Sequence, residues 1–91
     1  MERIIAVASG RVQGVGYRYF VSACAHATGV HGSVQNLPDG TVRIVAESSP
    51  AALDDFIRLA HARDDPVIRV DEIAVKKEPA TGEFHGFRVA W

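Results

Sequence analysis

Residues 10–18 read Gly-Arg-Val-Gln-Gly-Val-Gly-Tyr-Arg and join a β-branched apolar run, Ile4–Ala8, to a helix-like segment, Tyr19–Ala27. A loop that leaves a strand and opens a helix directs several backbone N–H groups to one point, and the positive end of the helix dipole adds to them. The inner glycines permit a positive φ and carry no Cβ to keep an anion away. Arg18 then supplies a planar fork of donors that matches phosphate or carboxylate oxygens. The stretch therefore predicts an anion-binding loop between a first strand and a first helix.

The patterns on either side of this loop predict an alternation of strands and helices. The first expected elements are a strand Ile4–Arg11 and a helix of about Tyr17–Ala27. A hairpin follows, with strands His31–Leu37 and Thr41–Glu47 around the turn Pro38-Asp39-Gly40. The last are a helix that starts with Ser49-Pro50 and ends near Arg63, a strand of about Val70–Lys77, and a short strand Phe87–Ala90. The order β-α-β-β-α-β is the ferredoxin-like (split β-α-β) sandwich of an α+β protein, an antiparallel sheet with two helices on one face. Right-handed crossovers place the first strand in the middle, beside the third. The loop then opens beyond the end of the central strand, where the hairpin can bring Asn36.

Composition indicates a small protein of ordinary globular type. The 91 residues are 47% hydrophobic and 23% charged, which predicts a single domain over residues 1–91 with a modest core. No apolar stretch approaches the ~18 residues that span a bilayer, and the N-terminus lacks the layout of a signal peptide. Cys24 cannot form an internal disulfide and falls on the apolar stripe of the first helix, so we expect a core residue in a cytoplasmic protein. Nothing in the sequence demands more than a monomer.

The distribution of charge favours a small anionic partner over a nucleic acid. No Asp or Glu occurs from Arg3 to Pro38, whereas three arginines in this third of the chain give it a local positive potential. The whole chain has a net charge of −1 and a pI near 6.4, without the broad basic face that nucleic-acid binding needs. RNA-binding modules of this fold stack bases on aromatic residues of the central strands. The first and third predicted strands have no aromatic residue, so we expect no nucleic-acid partner. The lack of a long apolar stretch leads us to expect no membrane partner either.

The familiar phosphate-binding and catalytic motifs are incomplete in this chain. A Walker A loop needs a Lys, which is missing from the first 75 residues, and the dinucleotide fingerprint needs a third glycine where Tyr19 stands. The four histidines lack metal-ligand spacing, and Ser9 and Ser22 lack a partnered base. We therefore expect no metal, no cofactor and no covalent nucleophile. What remains is the loop, Arg18 and Asn36, a carboxamide that either satisfies backbone groups at the turn or belongs to a site.

Two stretches resemble a known family. Residues 10–18, followed by Gly-Ser-Val-Gln-Asn-Leu-Pro-Asp-Gly at 32–40, closely resemble the two signatures of the acylphosphatase family. The similarity extends through Val42–Glu47, the second helix and the closing Gly86-Phe-Arg-Val, so it covers nearly the whole chain. The resemblance implies the ferredoxin-like fold and the hydrolysis of small acyl phosphates to a carboxylate and inorganic phosphate, without metal or cofactor.

The resemblance also implies roles for individual residues. Arg18 matches the phosphate-binding arginine of the family, and Asn36 matches the asparagine that positions the attacking water. The loop whose backbone amides bind the phosphoryl oxygens is matched by Gln13, Gly14, Val15, Gly16 and Tyr17. Ser33 stands where many members carry an aromatic residue, and Arg43 where an acid is frequent. These departures bear on substrate preference and surface charge.

Three alternatives stand beside a working hydrolase. One is a non-catalytic ferredoxin-like module that binds phosphate or RNA. Another is a carbamoyl-phosphate-handling domain of a larger maturation system. The third is a degenerate member that binds phosphate without turnover, and the presence of both Arg18 and Asn36 argues against it.

Overall fold

A computed structural model describes every residue from Met1 to Trp91, and its elements follow the predicted order. They are β1 (Glu2–Arg11), α1 (Tyr17–Thr28), β2 (His31–Asn36), β3 (Val42–Ser48), α2 (Pro50–Ala60), β4 (Arg69–Pro79) and β5 (Phe87–Ala90). The five strands form one sheet in the order β4-β1-β3-β2-β5. The central position of β1, beside β3, is confirmed, and the fold is the expected ferredoxin-like one.

The last strand makes the sheet mixed. β1 is antiparallel to both β3 and β4, and β2 is antiparallel to β3, as expected. β5 instead runs parallel to β2, from Gly32 opposite Phe87 to Gln35 opposite Ala90. The chain reverses direction after β4 and crosses to the far edge of the sheet, so its final strand runs the same way as β2. The expectation of a wholly antiparallel sheet is therefore corrected at this edge.

The core lies between one face of the sheet and the two helices. Alternate residues of β1, namely Ile4, Ala6 and Ala8, are buried there, as the two-residue period of a strand requires. Phe56 of α2 is fully buried in the same cluster, and Cys24 of α1 is 6% exposed, which confirms it as a core residue. Neither helix is long and apolar enough to span a membrane.

Helix α2 begins where the sequence predicts and ends earlier. The Ser49 hydroxyl accepts a hydrogen bond from the Ala52 N–H at 3.2 Å, an N-cap followed by proline in the first turn. The helix ends at Ala60, three residues before the predicted end near residue 63. Ala62 has a φ of 50°, a left-handed conformation that an α-helix cannot continue.

A buried carboxylate anchors the loop that leads into β5. Glu47, at the end of β3, is 3% exposed and accepts hydrogen bonds from the N–H groups of Thr81 (2.8 Å) and Gly82 (3.0 Å). The Thr81 hydroxyl and the Arg3 guanidinium, at 3.0 and 3.4 Å, complete its surroundings. Burial alone would raise the pKa of Glu47, but these donors outweigh it and hold the pKa below its usual value. The anchor directs the chain across the sheet, so that β5 reaches β2.

Candidate active site

The loop between β1 and α1 owes its path to two glycines. Gly14 and Gly16 have φ values of 72° and 79°, in the left-handed region that side chains rarely adopt. Apart from the adjoining residues of the chain, nothing lies within 4 Å of where a Cβ would stand at either position, so the requirement for glycine is conformational. Gly16 is also the N-cap of α1, without a side-chain cap and without an acid in the first turn. The positive end of the α1 dipole is therefore not compensated locally.

The backbone of this loop has unused donors. No backbone N–H from Gln13 to Arg18 donates to another group of the protein, and the first bond of α1 runs from the Phe20 N–H to the Gly16 carbonyl at 3.1 Å. Free N–H groups that precede a helix, together with its dipole, are a general anion-binding arrangement. We call residues 13–18 the anion loop, and its backbone N–H groups are left without a partner in the protein.

The Gln13 side chain ties the anion loop to the β2–β3 hairpin. Its Nε2 donates to the carbonyl oxygens of Leu37 and Thr41, both at 2.8 Å. These carbonyls stand on either side of the turn that follows Asn36. The sequence assigns Gln13 to the site through its backbone N–H only. The structure adds that its side chain connects the loop to the hairpin.

Tyr17 contributes to the loop by its backbone and to the core by its ring. The side chain is 1% exposed, and its hydroxyl donates to the Ala60 carbonyl at 2.8 Å. This hydrogen bond joins the start of α1 to the end of α2. Burial raises the pKa of Tyr17 well above its ordinary value, so the phenol stays a neutral donor.

Arg18 is held by the end of β5. Its Nη1 donates to the Ala90 carbonyl at 2.9 Å, and its guanidinium carbon lies 4.1 Å from the centroid of the Trp91 ring. Arg18 forms no ion pair with a carboxylate. No carboxylate of these ion pairs therefore competes with an external anion for this guanidinium.

Asn36 lies at the same end of the sheet. It is the last residue of β2, one position beyond Gln35, which pairs with Ala90 of β5. Its Oδ1 is buried and has no hydrogen-bond partner in the protein. A buried acceptor without a partner is uncommon in folded proteins. The ends of the paired strands β2 and β5 therefore lie side by side: β2 carries Asn36, and β5 supports Arg18 through the Ala90 carbonyl.

Comparisons with known proteins identify the family of the chain. A family model described as Acylphosphatase matches residues 4–89. The chain belongs to the acylphosphatase family. An acylphosphatase of Thermococcus kodakarensis is 48% identical over 80 residues, which cover 88% of this chain and 86% of that protein. The crystal structure of acylphosphatase from Bacillus subtilis is similar with a TM-score of 0.93 at 34% identity over 100% of both chains. T. kodakarensis HypF is similar at 0.85 and 32% identity, covering 100% of this chain but 12% of that chain.

Ser33 of β2 and Arg43 of β3 lie on strands of the sheet, outside the anion loop. Val34, Val42 and Ile44 point into the core, so their strand neighbours Ser33 and Arg43 lie on the face opposite the helices. No group of three or more His, Cys, Asp or Glu side chains is arranged to hold a metal ion.

The structure adds three contacts that the sequence did not predict. The Gln13 side chain, the Ala90 carbonyl and the Trp91 ring all support the anion loop or Arg18. The Ala90 contact bridges residues 72 positions apart. The predicted short strand at Phe87–Ala90 was the only signal in the sequence that could have placed this segment near the site.

Proposed function

We propose that the chain is an acylphosphatase that cleaves the carboxyl-phosphate anhydride of small acyl phosphates, with phosphate bound by the anion loop and Arg18 and with water positioned by Asn36. The observation that carries the proposal is the juxtaposition of unused donors and an unused acceptor. Free loop amides and Arg18, which has no carboxylate partner, belong to the same end of the sheet as Asn36, whose buried Oδ1 accepts no hydrogen bond from the protein. All of these groups come from one chain, so a monomer suffices.

The bound phosphoryl group would be stabilised mainly by fixed donors. Phosphoryl transfer asks a protein to position the reactants and to neutralise charge on the equatorial oxygens. The loop amides and the α1 dipole face those oxygens without reorganisation of solvent. Arg18 uses one donor on Ala90, and the other N–H groups of its guanidinium are left for the phosphate.

Asn36 would orient the nucleophile. Its Oδ1 accepts a hydrogen from a water molecule and so directs a lone pair of that water at phosphorus. The departing carboxylate is a good leaving group and needs no strong general acid. The phosphate of the substrate takes the proton of the water, so that no side-chain base is involved. The activity profile should then lack the bell shape that a side-chain acid and base produce.

The decisive experiment is hydrolysis of benzoyl phosphate in EDTA, with inorganic phosphate as a competitor. Arg18→Ala should abolish detectable turnover and weaken phosphate binding, and Arg18→Lys should also fail, because an ammonium cannot replace the fork of donors. Asn36→Ala should slow turnover by about 10²-fold while phosphate binding is largely kept. Gln35→Ala, which removes the exposed carboxamide next to Asn36, is the matched control and should resemble the wild type.

Two outcomes would overturn the assignment. One is an absence of hydrolysis by the wild type, and the other is an equal rate for Arg18→Ala. If Asn36→Ala weakened phosphate binding and left turnover intact, the role given to Asn36 alone would be wrong.

A second candidate is favoured by the similarity to a part of HypF. In that case the chain would handle carbamoyl phosphate as a domain of a larger system. The two candidates differ in substrate preference, so kcat/KM for carbamoyl phosphate and for benzoyl phosphate should be compared. A strong preference for carbamoyl phosphate would favour the second candidate.

A further inference from the structure

We infer that Trp91 is a positioning residue for Arg18, with its indole face stacked on the guanidinium that binds phosphate. The inference rests on the proposed function, because it concerns how the phosphate-binding arginine is held. It starts from one observation. The guanidinium carbon of Arg18 lies 4.1 Å from the centroid of the Trp91 ring, well inside the ~6 Å range of a cation–π contact.

The indole and the neighbouring carbonyl restrain Arg18 in different ways. The hydrogen bond from Nη1 to the Ala90 carbonyl, at 2.9 Å, fixes one corner of the guanidinium. A single corner leaves the plane free to rotate, and stacking against an aromatic face restricts that rotation. A bidentate contact with phosphate depends on the orientation of this plane. Both restraints come from consecutive residues at the end of β5, so one strand end sets the orientation.

The exposure of Trp91 indicates that this contact is not part of the core. The residue is 84% exposed, whereas tryptophan is highly buried on average. It lies outside the buried core cluster, so the fold does not depend on it. Its position follows from β5, in which Ala90 pairs with Gln35 of β2. The same strand pairing therefore supports Asn36 from the side and brings the indole to Arg18.

The first test uses the fact that Trp91 is the only tryptophan of the chain. Its emission reports the surroundings of Arg18 directly in the unmodified protein. Titration with inorganic phosphate should change the emission saturably, with a half-point equal to the competitive inhibition constant. Arg18→Gln should lose this response. The inference is wrong if phosphate inhibits the wild type competitively while the emission stays constant.

The second test separates the aromatic face from mere bulk. Trp91→Leu should raise both KM for benzoyl phosphate and the inhibition constant of phosphate by about two- to fivefold, the range of an exposed cation–π contact. Trp91→Phe keeps an aromatic face and should recover most of the loss. Tyr19→Leu is the matched control, since Tyr19 is an aromatic residue 60% exposed next to Arg18 in sequence, and it should leave both constants unchanged.

The outcomes distinguish this inference from the function on which it rests. Values for Trp91→Leu within 1.5-fold of the wild type, or an equal loss in Trp91→Leu and Trp91→Phe, would refute the role of the indole and leave the acylphosphatase assignment standing. A wild type that neither hydrolyses benzoyl phosphate nor binds phosphate in calorimetry would overturn both. Thermal unfolding midpoints of the variants should match the wild type, because the ring is largely in solvent.

Discussion

Replacing Gln13 by methionine should separate the anion loop from the hairpin that carries Asn36. Methionine keeps the length of the side chain and removes both hydrogen bonds to the carbonyls of Leu37 and Thr41. Each carbonyl keeps one backbone donor, since Leu37 O accepts from Gly40 at 3.2 Å and Thr41 O accepts from Leu37 at 2.8 Å. No buried acceptor is left bare, so each lost bond costs about 0.5–1 kcal/mol. The expected loss of unfolding free energy is about 1–2 kcal/mol.

Chemical and thermal unfolding measure this loss. For a chain of this size a change of 1 kcal/mol shifts Tm by about 4–8 °C, so Gln13→Met should lower Tm by roughly 5–15 °C. Gln35→Met is the control, because Gln35 is exposed and makes no side-chain hydrogen bond, and it should stay within about 0.5 kcal/mol of the wild type. Equal stability of Gln13→Met and the wild type, or an equal loss in both variants, would refute the reasoning.

At temperatures below the unfolding transition, the kinetics of Gln13→Met should also report the lost connection between the anion loop and the hairpin. In the proposed function the anion loop and Asn36 act on the same phosphorus. Loss of the Gln13 hydrogen bonds should let the distance between the loop and Asn36 vary, while the backbone N–H groups of the loop stay in place. For Gln13→Met we expect kcat to fall about tenfold, because small misplacements are costly in a positioned reaction. The phosphate inhibition constant should change less than kcat. If the inhibition constant alone changed, the side chain would serve the loop and not the link to Asn36.

Two further substitutions test the contacts around this frame. Tyr17→Phe removes the only donor to the Ala60 carbonyl and should cost about 1–3 kcal/mol in urea unfolding, whereas Tyr19→Phe, at an exposed position, should cost almost nothing. Glu47 has a folded-state pKa below its ordinary 4.5, so its stabilisation is present above that pH and is lost as the pH falls through the folded-state value. Glu47→Gln should therefore lower Tm at neutral pH and flatten its decline in acid; a decline as steep as in the wild type would show that other carboxylates cause it.

The local parts of the site were predictable because they depend on backbone rules. Glycines around the loop indicate positive φ, and Gly14 and Gly16 adopt it. The order of strands and helices follows from periodicity, and right-handed crossovers then allow one position for β1. Asn36 could be placed at the rim for the same reason, since the hairpin register follows from its turn.

The contacts that support the site were not predictable in the same way. Nothing in the sequence shows that Gln13 reaches past the turn, or that the chain beyond β5 stacks on Arg18. The early end of α2 depends on a left-handed alanine, Ala62, for which no residue preference gives warning. In each case the cause is tertiary packing between segments far apart in the chain, which local patterns do not contain.

The supports of the site share one chemical feature. Gln13, Tyr17 and Arg18 each donate a side-chain hydrogen bond to a main-chain carbonyl, on the hairpin, on α2 and on β5 respectively. Every residue offers a carbonyl, so these bonds depend on the path of the acceptor backbone and on the identity of the donor side chain. Substitutions at the acceptor positions that preserve the backbone should therefore leave the site intact. Substitutions of the three donors should reach it, because each donor connects the anion loop or the start of α1 to a different element.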